Sequence, residues 1–196
     1  GAPYTLGGCG IRGDGCYQNF INGNIYWSPA TGAWDISGGI GNKWVTLGAE
    51  RSTIGYPTAA EARGLKSGGA YQSYQNGRIY WTPATNAVDI SGDILTKWEE
   101  MNAENSLLGY PTATEVRGLK SNGAYQQFQI GRIYWTSTTG AFPVSGGIGD
   151  YWRQNGAEKS TLGYPTSGEQ VNDQGQVYQQ FEHGTIYWTA QKGAWS

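Results

Sequence analysis

The stretch Tyr71-Gln72-Ser73-Tyr74-Gln75-Asn76-Gly77-Arg78-Ile79-Tyr80-Trp81-Thr82 decides how the chain is read. Two runs rich in aromatic and β-branched residues flank Asn76-Gly77, the signature of an antiparallel hairpin with a two-residue type I′ turn. Its most legible words, Ile-Tyr-Trp, return at Ile25-Tyr26-Trp27, Ile133-Tyr134-Trp135 and Ile186-Tyr187-Trp188. Successive copies start 54, 54 and 53 residues apart. A fixed period of that length signals an array of small supersecondary units instead of one large core.

The period divides the 196 residues into modules at 1–38, 39–92, 93–146 and 147–196. Units of about 50 residues stand near the lower limit for independent folding, so each is expected to lean on its neighbours. The 14 tyrosines and 9 tryptophans supply apolar area that the 38% hydrophobic content understates. Counting outward from Asn76-Gly77 pairs Gln75 with Arg78, Tyr74 with Ile79 and Ser73 with Tyr80. Paired residues share a face. One face then carries Gln72, Tyr74, Ile79 and Trp81 and is expected to be the core. The other carries Tyr71, Ser73, Gln75, Arg78, Tyr80 and Thr82. A third short strand at 33–36 or 87–90 completes a three- or four-stranded antiparallel module.

Three joining segments, 39–48, 93–102 and 147–156, space Ile40, Trp44 and Leu47, Ile94, Trp98 and Met101, and Ile148 and Trp152 as short amphipathic helices do. Ser37, Ser91 or Asp93, and Ser145 are candidate N-caps, and Gly48 or Gly156 can end a helix in the left-handed conformation. The helix tryptophans are expected to pack at joints between modules. Thr58/Glu61, Thr112/Glu115 and Thr166/Glu169 have the form of a capping box, which predicts one further helical turn. The fold expected is mainly β: four tandem antiparallel modules joined by short helices in an elongated, stalk-like array, with a closed propeller-like arrangement as the alternative.

The second hairpin face is where ligand chemistry is expected. It would present Tyr26 in the first module, Ser73, Arg78 and Tyr80 in the second, and Gln127, Arg132 and Tyr134 in the third. In the fourth it would present Gln180 and Tyr187. Tyrosine rings among amide, hydroxyl and guanidinium groups suit a sugar, whose C–H side stacks on the ring while its hydroxyls bond the polar neighbours. Four weak sites can give avidity on a repetitive polymer. Arg63 and Arg117, in Glu-x-Arg-Gly, could grip an anion bidentately, though an internal pair with Glu61 or Glu115 explains them more simply.

Other functions are disfavoured. The formal net charge is −2, and the 13 Lys and Arg are scattered singly, so the field that binds nucleic acid is missing. No apolar run approaches a membrane span, and Gly1 opens no signal peptide. His183 is the single histidine, without a nearby Ser or Cys elbow, so no nucleophile, base and orienter set is visible. Glutamates recur in module after module, Glu50 and Glu61 in the second and Glu104 and Glu115 in the third, as capping or ion-pairing residues would, whereas a catalytic pair is needed once. Neither cofactor nor metal is implied. Cys9 and Cys16, flanking a Gly-rich segment, read as a disulfide closing a small ring in an extracytoplasmic protein.

Leu108-Gly109-Tyr110-Pro111-Thr112 and Leu162-Gly163-Tyr164-Pro165-Thr166, with Ile54-Gly55-Tyr56-Pro57-Thr58, closely resemble the LGFP repeat, Tyr replacing the usual Phe. Gly-x-Ile-Tyr-Trp and the run Trp152 to Glu158 resemble it too, and the resemblance spans essentially the whole chain. It implies a secreted, non-catalytic module that holds a protein to the arabinogalactan–peptidoglycan cell wall, attached in its full-length context to a catalytic domain. The first module departs from the pattern, Gly8-Cys9 standing where Tyr-Pro is expected. A passive stalk spacing a partner domain, or a lectin for another glycan, are the alternatives.

Overall fold

The computed structural model describes residues 1–196. Four sheets follow one another along the chain, each with four antiparallel strands in sequential order. The first contains β1 (Gly8–Ile11), β2 (Gly15–Phe20), β3 (Gly23–Ser28) and β4 (Gly32–Ile36). The second contains β5 (Ala62–Leu65), β6 (Gly69–Tyr74), β7 (Gly77–Thr82) and β8 (Asn86–Ser91). The third contains β9 (Val116–Arg117), β10 (Ala124–Gln127), β11 (Arg132–Thr136) and β12 (Gly140–Val144). The fourth contains β13 (Gln170–Val171), β14 (Val177–Phe181), β15 (Gly184–Thr189) and β16 (Gly193–Trp195). Three helices join them: α1 (Gly38–Thr46), α2 (Gly92–Glu100) and α3 (Gly146–Gln154). The mainly β tandem-module fold is therefore present. The chain divides into two compact units, Gly1–Gly92 and Asp93–Ser196.

The hairpin register corrects the expectation. Tyr74 pairs with Gly77, Ser73 with Arg78, Gln72 with Ile79 and Tyr71 with Tyr80. The turn is thus Gln75-Asn76, and neither residue has the positive φ that a type I′ turn requires. The cause is tertiary. The Gln75 amide donates to the Tyr56 carbonyl and the Asn76 amide to that of Ile54, both at 3.0 Å. The Gly-Tyr-Pro turn therefore captures the hairpin tip. A slip of two residues along the pair preserves which side chains share a face.

Each helix tryptophan is fully buried. In the first unit Trp44 lies between Tyr26, edge-on at 4.6 Å, and Tyr74, stacked at 6.0 Å. Its indole donates to the Gly55 carbonyl at 2.9 Å. In the second unit Trp98 packs on Phe128 and donates to Gly109, while Trp152 lies between Tyr134 and Phe181 and donates to Gly163. Each helix is a wedge tied to the turn that follows it. Ser37 and Ser145 occupy N-cap positions with extended backbone, but their side chains make no capping bond. Gly48 and Gly156 take the left-handed conformation after their helices, as expected.

The Gly-Tyr-Pro-Thr turn is built from the same logic. Gly55 has φ 74°, and a Cβ there would strike the Gln75 side chain. The Gln75 Oε1 accepts the Tyr56 amide at 2.9 Å. The Tyr56 hydroxyl reaches back to donate to the Arg12 carbonyl at 2.6 Å, lying where a Cβ on Gly15 would stand. Tyr164 repeats this with the Lys120 carbonyl at 2.7 Å over Gly123. No helix forms over Thr58–Glu61, Thr112–Glu115 or Thr166–Glu169. The amides of Thr58, Thr112 and Thr166 bond to the carbonyls of Ser73, Gln127 and Gln180 instead, which holds the chain extended alongside the hairpin.

Candidate tryptophan cleft

The expected tyrosine face is largely consumed by the protein itself. Tyr80 is 3% exposed and Tyr134 2%, so neither is available to a ligand as anticipated. Tyr134 lies under Trp152 and beside Tyr125 at 5.2 Å. Tyr80 stacks on Tyr71 at 5.1 Å, and the Arg78 guanidinium covers the Tyr71 ring and bonds the Tyr80 hydroxyl. Arg132 does the same for Tyr125 and Tyr134, and also bonds Gln127. Burial raises the Tyr134 pKa, against the lowering effect of its bond from Arg132. Tyr26 is half-buried between Tyr17 and Trp44. Tyr187 is half-buried against Trp195 and Tyr178. Ser73 is half-buried in β6, and Gln180 is exposed on β14. The face exists as a set of residues, but joint helices and stacked arginines occupy it.

The open aromatic surface lies at the other end of the Ile-Tyr-Trp word. Trp81, expected in the core, is partly exposed. The Cδ1–Nε1 edge of its indole packs against Gly39 in the first turn of α1, where a Cβ would stand 2.8 Å from Trp81 Cδ1. A cleft of about 350 Å³ opens beside it, lined by Gly38, Gly39, Glu61, Arg63, Gly68 and Trp81. Arg63 Nε donates to Glu61 Oε1 at 2.7 Å, as the internal-pair reading anticipated. Its side chain is nevertheless 75% exposed, so the terminal guanidinium nitrogens face outward. The chemistry on offer is a flat indole, a carboxylate acceptor and a guanidinium donor around one concavity.

Cys9 and Cys16 form the disulfide, bridging directly paired residues of β1 and β2. No group of three or more His, Cys, Asp and Glu side chains is arranged to hold a metal ion. No helix is long and apolar enough to cross a membrane.

The sequence profile of the LGFP repeat matches residues 1–52, 54–106, 108–160 and 162–196. This chain belongs to the LGFP repeat family. No curated protein matches it by sequence. Among solved structures it is similar to the extracellular domain of a hybrid two-component system protein, BT3049, of B. thetaiotaomicron. That likeness has 9% identity over 90% of this chain and 20% of the other, with a TM-score of 0.22. The extracellular domain of a one-component system, BT4673, of the same organism gives 11% identity over 94% and 21%, with a TM-score of 0.20. The hemopexin-fold protein CP4 from cow pea gives 15% identity over 97% and 88%, with a TM-score of 0.23. The chain spans about a fifth of the length of the first two.

The LGFP repeats of this chain are not copies at the cleft. The counterpart of Tyr56-Pro57 in the first repeat is Ala2-Pro3 and not Gly8-Cys9, because Pro3 bridges to Phe20 as Pro57 does to Tyr74; Cys9 takes the place of Arg63, so the disulfide stands where the guanidinium would. Arg117 keeps the arginine, paired with Glu115 at 2.8 Å and 72% exposed. In that repeat Asp93 replaces Gly39, and its Oδ2 accepts the Trp135 Nε1 hydrogen at 2.6 Å. In the last repeat Trp188 again packs against a glycine, Gly147, but Val171 replaces the arginine. Sequence reasoning missed the tryptophan cleft because alternation put Trp81 on the core face. The signal that could have found it was the Gly-Gly at 38–39 and 146–147, which leaves room for an indole.

Proposed function

We propose that this LGFP repeat domain is a secreted, non-catalytic module that holds cell-wall polysaccharide, arabinogalactan–peptidoglycan being the wall polymer in question, through its tryptophan cleft. The observation that carries the reading is Trp81, a partly exposed indole in a cleft flanked by Arg63 and Glu61. A pyranose laid on the indole would place its C–H face on the ring, while its hydroxyls reach the guanidinium and carboxylate at the rim. The disulfide fits an oxidising, extracytoplasmic setting. One such contact is weak, and the other repeats offer it only in altered form, with Trp135 bonded to Asp93 and Trp188 lacking the arginine.

A spacer function is the second reading. It is favoured by the burial of Tyr80 and Tyr134, aromatics that serve packing. Co-sedimentation with insoluble wall polymer separates the two. The binding reading expects the intact domain to pellet and folded Trp81→Ala to be retained several-fold less. A domain that stays in the supernatant would leave the spacer. Pelleting equal in wild type and variant would remove the cleft from the function.

A further inference from the structure

We propose that the Trp81 cleft takes an acidic saccharide, its carboxylate seated where Asp93 sits in the next repeat. The inference deepens the glycan reading above and rests on it.

The two repeats provide an internal comparison. Around Trp135 the chain supplies its own carboxylate: Asp93, at the second position of α2, accepts the indole N–H at 2.6 Å. Around Trp81 the corresponding residue is Gly39, and Trp81 Nε1 has no protein acceptor. The flanking pair is the same in both, Glu61–Arg63 at 2.7 Å and Glu115–Arg117 at 2.8 Å. In the second repeat that carboxylate is absent, the indole edge packs against Gly39, and a cleft of about 350 Å³ lies beside it. A ligand carboxylate on that spot would accept from the indole and meet the terminal guanidinium nitrogens of Arg63, which bond nothing else. Glu61 is neutralised by Arg63 Nε, so it does not oppose a second anion in the way an unpaired carboxylate would. The last repeat has the glycine and the indole but not the arginine, which makes Trp188 a control within the same molecule. In this view Asp93 closes the third site from inside, and the number of acid-accepting clefts is set by single residues.

The test follows the tryptophan indole ¹H–¹⁵N signals of the whole chain during titration with a uronic-acid oligosaccharide and, separately, its neutral counterpart. The uronate should shift Trp81 and leave Trp135 and Trp188 in place. It should bind about tenfold more tightly than the neutral sugar, as expected of a charge-assisted bond. Arg63→Gln should remove that advantage while keeping weak response to the neutral sugar. Asp93→Gly should make Trp135 responsive, and Gly39→Asp should silence Trp81. Asp93→Gly only removes a side chain, whereas Gly39→Asp places a Cβ 2.8 Å from Trp81 Cδ1, so the indole must give way to it. Equal shifts by both sugars, or an equal uronate shift at Trp188, would overturn the acidic assignment and leave the glycan reading standing. No shift at Trp81 with either sugar would overturn both.

Discussion

At the scale of single residues the repeats explain each other. In the second repeat the Tyr74 hydroxyl donates to Gln72 Oε1, while Gln72 Nε2 donates to the carbonyls of Asp35 and Ala59, each at 2.9 Å. In the fourth, Gln179 Nε2 makes the matching bonds to Pro143 and Ser167, but Phe181 has no hydroxyl, and Gln179 Oε1 is buried without a donor. Phe181→Tyr should therefore stabilise the second unit by about 1 kcal/mol, the worth of one buried hydrogen bond, measured by urea unfolding. A loss of stability would show that the space beside Trp152 differs from that beside Trp44. Tyr164 makes the opposite kind of prediction. Burial first, then Glu158, Glu182 and Tyr134, push its pKa up to about 12. Below pH 10 the phenol is protonated in both folded and unfolded chains, so its bond to Lys120 contributes fully. Between pH 10 and 12 only the unfolded chain ionises, and stability falls as pH rises. Tyr164→Phe should flatten that part of the stability profile, and an unchanged profile would assign the alkaline loss to other tyrosines.

At the scale of elements α1 and α3 each hold together the two sheets of their own unit. Trp152→Phe would remove the indole bond to Gly163 and leave a space between Tyr134 and Phe181, and should cost about 2–4 kcal/mol. Hydrogen exchange should show the loss in β11 and β15 together, because both lie against that wedge. Exposure confined to α3 would mean the helix is an ornament on sheets that stand alone. These helices were legible in the sequence: Ile and Trp at i and i+4 in all three, with Gly48 or Gly156 beyond the end of α1 and α3, leave little else. Which residues share a hairpin face was legible for the same reason, a period of two. The register was not, because Asn76-Gly77 is a strong local turn signal and the amides of Gln75 and Asn76 are claimed by a turn some 20 residues earlier in the chain. The site was half legible. Aromatic and polar residues at the hairpin were the right neighbourhood, but alternation says only which face a tyrosine is on and nothing of what comes to cover it. Trp81 escaped because its openness depends on Gly39, a residue on a different element.

At the scale of the whole molecule the chain is two compact units, and the disulfide belongs to only one of them. Cys9 and Cys16 are 7 residues apart, so the ring they close is small and its entropic contribution is about 2–3 kcal/mol. In a repeat array stability is close to a sum of each repeat and its contacts with the next, so a local loss is felt mainly nearby. Cys9→Ser/Cys16→Ser should then lower protection of the amides of β1 to β3 strongly, β6 and β7 less, and β14 and β15 not at all. The gradient is expected because the Tyr56 hydroxyl bonds the Arg12 carbonyl, within the disulfide ring, and so couples the ring to the second sheet. Tyr56→Phe in the same background should confine the loss to the first sheet. Uniform loss across all four sheets would instead show that the chain unfolds as one body, and would make the repeats cooperative over a longer range than nearest-neighbour packing provides.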